Sequence, residues 1–558
     1  MKLYILFGSQ TSNAEELAHD LAREASRRLI PVEVLCLDDM LEILLEIKLA
    51  IFVVSTTGQG EPPVNMRQYW RGIMSKTLPK SIFSHLNFTV FGLGDSTYQQ
   101  FNVVARKLWV RMKQLGGVSF LDKGLGDDIH DFGYEAEYHP WCEQLWKALE
   151  GFYPVLCQVE VGSGLGPSLY RVECLYENAD ECIEGLGDRK PFIVQENRVL
   201  TERFGTCFQV DFENEEFGPG DSLAVYPKNS EESVRDLMTR LNWRDSLLSI
   251  TLNPSRPYNS PQKYPQRIRL SSLLSSFVDL HHPASRHFIE ILAEFSEGLH
   301  QTKLREMSER TLDGRNEYHR YITKEYRNVC EVLYDFSSIS TIPLEYFLQG
   351  VRIIRPREFS IAGGRDLRIL ASLVKFKTPL MRTVTGLCTG YLKGVKRGDA
   401  VYGKVVRGGF VVPELNVPVI FVATGTGIAP LWSIIESRIS QGAYQNFLFF
   451  GTRHPDHDFY FKDQIEAFQQ ASKCLSFIAF SQTNTKTYVQ DLLKSQWELV
   501  NSVLKNNGHV LICGKAKQLV KSVKSSLITC LEHEMSEASG TAFLSTLEQT
   551  SKFYAENW

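Results

Sequence analysis

Paired cysteines are absent from this sequence. Its 11 cysteines are scattered over 558 residues and never fall in a C-x-x-C spacing, which excludes a disulfide frame or zinc ribbon and reads as reduced thiols in a cytoplasmic protein. His454 and His457 are close, but no cysteine or carboxylate joins them at ligand spacing, so they read as a surface loop and no metal is expected. An excess of one charge is missing too: 61 Lys and Arg against 65 Asp and Glu give a net charge of −4. A general nucleic-acid binder carries a basic footprint, so nucleic acid is not an expected partner. Long apolar runs are also lacking. The most apolar window, 41–54, is broken by Glu42, Glu46 and Lys48, so no membrane anchor is expected. The chain opens straight into the strand-like Leu3 to Phe7, with no basic leader, so secretion is not expected.

What is present is the composition of a multidomain globular protein, 43% apolar and 23% charged, and long enough for three or four domains. Apolar runs at 3–7, 50–54 and 88–91 each end in a polar loop and alternate with helical patterns. That order predicts a parallel, doubly wound α/β sheet with its ligand at the carboxyl ends of the strands. The first loop, Ser9-Gln10-Thr11-Ser12-Asn13 leading into Ala14, puts hydroxyls and backbone N–H groups at a helix mouth, where a phosphate binds. It has no lysine and no Walker order, so a monophosphate fits better than a triphosphate. The second loop is Ser55-Thr56-Thr57-Gly58; the third runs Leu93-Gly94-Asp95-Ser96-Thr97-Tyr98 and on to Phe101 and Asn102. Three such loops in register resemble the FMN site of flavodoxin-like domains. That resemblance implies Tyr98 stacked on the flavin and Asp128 near it in the last loop; Thr57 stands where many two-flavin reductases carry an aromatic. An acidic run follows, with Asp122, Asp127, Asp128, Asp131, Glu135 and Glu137 against Lys123 alone. It reads either as a solvated face or as a docking rim for an electron acceptor.

Residues 1–150 are thus expected to be the FMN domain and 151–190, rich in glycine, a flexible linker that could contain a short strand at 169–172. Residues 191–405 are expected to be an antiparallel FAD-binding barrel carrying a helical insertion at about 231–350. The barrel's key stretch is Arg357-Glu358-Phe359-Ser360, which offers a cation for a pyrophosphate, a ring to cover a flavin and a hydroxyl beside it. Gly386-Leu387-Cys388-Thr389 sets small residues before a short helix, where N–H groups could meet the same pyrophosphate. No apolar strand leads into it, so a nucleophile elbow is the weaker reading. Arg327 is a further candidate contact for the adenosine or phosphate of FAD.

Residues 410–558 are expected to form a second doubly wound domain. Strand 419–423 leads through a glycine turn containing Thr426 into a helix, as in a dinucleotide loop. The loops that follow, with Arg453, then Ser481-Gln482 and Lys486-Thr487-Tyr488-Val489-Gln490, then Cys513, resemble the NADPH module of ferredoxin-NADP reductases. The resemblance implies a 2′-phosphate cradle at Lys486 and Tyr488 and Cys513 near the nicotinamide; Gln482 stands where the family often has arginine.

Over essentially its whole length the chain resembles the diflavin reductases. This implies hydride transfer from NADPH to FAD beside Ser360 and Cys513, Glu556 as the assisting acid, Trp558 as the aromatic that covers FAD, and single electrons leaving through FMN. The TTGQGEPP and RPREFS wording is most similar to the branch that serves an anamorsin-like iron-sulfur protein in cytosolic iron-sulfur cluster assembly, which implies a cytoplasmic protein with a mitochondrial association as a second placement. The alternatives are a sulfite reductase flavoprotein subunit, a soluble cytochrome P450 reductase and, in another class, a catalytically silent flavoprotein scaffold.

Overall fold

The computed structural model describes residues 1–558 apart from 41–42, 59, 99, 155–163, 176–188, 214, 515–516, 535–536 and 558. Most of the glycine-rich linker therefore lies outside the described residues. The chain divides into two compact units: 1–185 with 229–354 and 378–382, and 186–228 with 355–377 and 383–558.

The first unit opens with a parallel sheet in the order Val32–Cys36, Leu3–Gly8, Leu49–Ser55, Asn87–Gly94 and Val118–Ser119, with Gly124–Asp127 also pairing to Asn87–Gly94. Leu49–Val54 are buried residue after residue, as a central strand covered on both faces requires. One covering helix is Asn13–Arg27, whose Leu17, Leu21 and Ala25 recur at helical spacing and are buried. The insertion is mainly helical, but it also supplies strands Leu247–Leu252 and Arg267–Arg269. These complete a small antiparallel sheet with Tyr170–Leu175, the strand read at 169–172.

The second unit contains a six-stranded antiparallel sheet, in the order Arg357–Ser360, Ser222–Val225, Ala400–Val406, Lys190–Thr201, Cys207–Phe212 and Arg368–Ser372. Its two end strands meet again through the bridge between Ile361 and Ile369, which rolls the sheet into a barrel around Phe192, Phe208, Phe212 and Ile369. The same unit holds a parallel sheet ordered Leu475–Phe480, Asn446–Thr452, Val419–Thr424, His509–Gly514 and Phe553–Asn557. The last of these strands is not among those expected from the sequence, where 553–558 stands out only for Glu556 and Trp558. Among the described residues no helix is long and apolar enough to cross a membrane, and no cluster of His, Cys, Asp or Glu could hold a metal.

Candidate functional site

In the first unit the three loops gather at the carboxyl edge of the sheet. Ser9 donates its backbone N–H to Asn65 Oδ1 at 2.9 Å, and Gln10 Oε1 accepts the N–H of Val64 at 3.2 Å, so a neighbouring loop holds the phosphate-type turn open. Ser12 closes that turn in the left-handed region at φ 72, and Asn13 and Ala14 begin the helix behind it. Thr11 completes the turn, exposed. The hydroxyl of Ser9 is buried without a hydrogen-bond partner. An unmet hydroxyl at a helix N-terminus fits a phosphate group.

The second loop is pinned from both sides. Ser55 Oγ donates to Gly8 O at 3.4 Å, Thr56 N–H to Leu93 O at 2.9 Å and Thr57 N–H to Glu61 O at 2.9 Å, while Gly58 takes φ +50. In the third loop Asp95 accepts the N–H of Thr97 at 2.8 Å, and Asp127 accepts that of Ser96 at 2.9 Å. Phe101 N–H reaches Tyr98 O at 3.2 Å, and Tyr98 stands partly exposed beside it. Asn102 is fully buried, and its Nδ2 donates to Gly126 O at 2.9 Å. It also packs under Gly94, where a Cβ would lie 3.0 Å from Asn102 N. Asp128 donates its N–H to Gly94 O at 2.9 Å, and its carboxyl is raised by desolvation and then by Asp95 and Asp127. The braces Asn65 and Asp127 were not singled out from sequence as holding these loops. The P-P-V-N order at 62–65, just after the glycine-rich second loop, was the available signal.

The acidic run does not form one continuous rim. Glu135 turns inward to Arg286 at 2.8 Å, while Asp122, Asp128, Asp131 and Glu137 are exposed.

In the second unit the strand Arg357–Ser360 pairs antiparallel with Ser222–Val225, placing Ser360 opposite Ser222 and Arg357 opposite Val225. Burial rises along the strand: Arg357 and Glu358 are exposed, Phe359 is half-buried and Ser360 is buried. Helix Leu387–Gly394 begins after Gly386; Gly386 donates to Val374 O at 2.9 Å, and Thr389 Oγ1 accepts the N–H of Val374 at 3.0 Å. Burial pushes the Cys388 thiol up to about 12, against the pull of Arg357. Arg357 offers a cation and the turn before Leu387 a helix N-terminus, the two features that suit a pyrophosphate. Arg327 belongs to the first unit, and its guanidinium is committed to Asp335 at 2.6 Å over the ring of Tyr321.

The parallel sheet of the second unit carries the remaining loops on its carboxyl edge. Thr426 sits in the turn Gly425–Gly427, with Gly425 at φ +54. Gly427 lies so close to the next strand that a Cβ would come 2.5 Å from Cys513 O. Arg453 spends its side chain on the Phe204 carbonyl, at 2.8 Å, while Asp458 accepts its backbone N–H. Ser481 donates its N–H to Thr452 O at 3.0 Å and Gln482 donates its own to Arg453 O at 2.9 Å. Thr487 donates to Phe480 O at 3.0 Å, and Tyr488 precedes helix Val489–Ser495, which contains Gln490. Lys486 and Tyr488 are both exposed, while Val489 is buried under Gly451. Cys513 is fully buried, and the register of the last strand places Glu556 opposite it. Trp558 lies outside the described residues.

The chain matches three known families in succession: Flavodoxin over residues 5–141, FAD binding domain over 192–391 and Oxidoreductase NAD-binding domain over 421–525. It is 36% identical to the mouse NADPH-dependent diflavin oxidoreductase 1, covering 100% of this chain and 99% of that one. It is 34% identical to the bovine protein and 30% to that of Schizosaccharomyces pombe, each again over 100% of this chain and 99% of the relative. Three cofactor modules in this order, inside end-to-end likeness to those relatives, make the chain a member of the NADPH-dependent diflavin oxidoreductase family.

Proposed function

We propose that this enzyme takes electrons from NADPH through FAD and FMN to an anamorsin-like iron-sulfur protein in the cytosol, for iron-sulfur cluster assembly. When bound, the nicotinamide and the two flavins supply the hydride and its division into single electrons. The chain's own residues position and shield them. Ser9 to Ala14 hold the FMN phosphate, Thr57 and Tyr98 flank its ring, and Asn65 keeps the phosphate turn open. Arg357 and the Gly386 turn hold the FAD pyrophosphate, with Phe359 and Ser360 beside the ring. Lys486 and Tyr488 grip the 2′-phosphate of NADPH, and Cys513 and Glu556 border the nicotinamide.

The observation that carries the acceptor assignment is the exposed acidic set Asp128, Asp131 and Glu137, which follows the strand paired with that of the third loop, since complementary charge speeds encounter with a partner. The test is stopped-flow oxidation of the reduced enzyme by an iron-sulfur acceptor, by sulfite reductase haemoprotein and by a cytochrome P450. The reading expects the iron-sulfur protein to be fastest, and a D131N/E137Q variant to lose most of its salt-sensitive association rate while bleaching normally with NADPH. Equal or faster transfer to either haem protein would move the enzyme to a sulfite reductase or P450 reductase role. Asn65→Ala should weaken FMN retention roughly fivefold, about one hydrogen bond's worth, with FAD content unchanged.

A further inference from the structure

Hydride transfer needs donor and acceptor held in register, because a displacement of about 1 Å can cost roughly a hundredfold in rate. We propose that Glu436 and Ser433 are positioning residues that lock the FAD strand to the dinucleotide helix and thereby set the approach of nicotinamide to flavin. The proposal rests on FAD lying at 357–360 and NADPH at 424–427, and is independent of the acceptor.

Helix Ile428–Ser440 grows directly out of the glycine turn that packs on Cys513 and Gly514. Further along it Ser433, fully buried, donates its hydroxyl to Gly363 O at 2.8 Å. Glu436 then uses both carboxylate oxygens. Oε2 accepts the N–H of Gly364 at 2.8 Å, and Oε1 accepts the indole N–H of Trp432, one turn back on its own helix, at 2.9 Å. The Arg368 guanidinium lies 3.7 Å from Oε2, and the carboxylate side chain is only 17% exposed.

Gly363 and Gly364 follow closely on Ser360, and the intervening backbone has no slack. Ile361 N–H is held by Asp221 O at 2.9 Å and Ala362 N–H by Arg368 O at 2.7 Å. At Gly364 the helix approaches so nearly that a Cβ would lie 2.6 Å from Glu436 Cβ and 2.8 Å from Ser437 N. One helix therefore carries the dinucleotide turn at its start and grips the continuation of the flavin strand near its middle. The apolar core around it supplies adhesion without direction. The two hydrogen bonds to 363–364 supply the register.

Full-length Glu436→Ala, Glu436→Gln and Ser433→Ala proteins test this. In protein stripped of both flavins, the Gly364 amide of Glu436→Ala should exchange with deuterium roughly tenfold faster, the factor expected for losing a buried hydrogen bond to a charged group. In the flavin-loaded protein, single-turnover bleaching by NADPH should slow roughly tenfold and the charge-transfer absorbance with NADP⁺ should fall, while FAD content and the KM for NADPH stay within about twofold. Ser433→Ala should slow bleaching roughly threefold, and Glu436→Gln, which keeps one acceptor oxygen, should recover part of the loss. Faster exchange at Gly364 with bleaching at the wild-type rate would overturn the proposal, leaving the clasp purely structural. Should Glu436→Ala fail to fold or lose FAD, the other two variants decide by the same readouts, and wild-type bleaching in both would overturn it. Retention of FAD at wild-type affinity by Arg357→Ala would instead remove the cofactor placement on which the proposal rests.

Discussion

Each compact unit contains a seam between two modules, and the two seams are built from opposite materials. In the first unit the flavodoxin-like sheet meets the helical region through charge. Arg310 lies 2.9 Å from both oxygens of Asp20, Arg286 reaches Glu135 and Lys263 reaches Glu15 at 2.8 Å each, and Arg352 pairs with Glu16 and Arg27 with Glu290. All of these groups except Arg27 and Glu290 border a cavity of about 590 Å³. Burial opposes the charge on Asp20, but Arg310 and Arg23 outweigh it and hold the carboxyl well below the usual range. In the second unit the barrel and the dinucleotide domain share one apolar core. Cys207, Ala362 and Leu370 from the barrel pack with Phe410, Phe421, Leu431, Trp432 and Leu511. Apolar adhesion is insensitive to salt, and ion pairs weaken as salt screens them. The module that receives the hydride is therefore fused to its donor, while the flavodoxin-like module is held by contacts that ionic conditions can loosen.

The largest effect should come from breaking the apolar seam. Trp432 is fully buried and stacked between Phe461 and Phe468 at 5.3 and 5.4 Å. Trp432→Ala should cost about 3–5 kcal/mol in denaturant unfolding of the second unit, with no added salt sensitivity. Arg310→Ala should cost about 2 kcal/mol, because Asp20 and Glu24 lose their partner in a seam that solvent still reaches. Its proteolytic opening should resemble that of the wild type in high salt. The pH dependence has the sign of a seam that fails in acid. His287, buried beside Arg23, Arg27 and Glu290, is held at about 4 against an ordinary 6.5, burial being the main cause. The unfolded chain therefore takes up the proton first, and stability falls as pH drops from 6.5 toward 4, by about 1 kcal/mol at pH 5.5 from this group alone. His19, which faces Lys263, Glu15 and Arg23, shifts in the same direction. Glu135 and Glu290, held at about 2, add a further loss below 4.5. Thermal melts at pH 7.5 and 5.5 should show the larger loss in the first unit, since in the second His509 shifts in the same direction but is less deeply buried. Tyr258→Phe removes the 3.2 Å contact to His19 Nδ1 and a hydroxyl that also faces Arg23, and should cost about 1 kcal/mol.

The sheets and the loops at their carboxyl edges were legible in the sequence because apolar runs ending in glycine and hydroxyl loops carry a local signal. So was the strand holding Arg357 and Ser360, whose residue types state their own chemistry. The braces were not legible. Asn65, Asp458 and Glu436 act on backbone groups brought near only by the fold, and nothing in their own neighbourhoods announces a partner. The turning of Glu135 away from the acidic run has the same origin, since Arg286 is distant in sequence. The strand Phe553–Asn557 escaped because so short a pattern looks like a tail until the neighbouring strand His509–Gly514 is there to receive it.

The barrel's strand order also bears on how the protein is made. Lys190–Thr201 pairs with Ala400–Val406, so a half-built sheet must wait on the ribosome while the whole helical insertion is translated. The amino-terminal sheet draws only on residues 3–127 and is complete long before. Newly made chains should therefore pass through a stage with one finished module and an unpaired strand edge, the stage at which a chaperone is most needed.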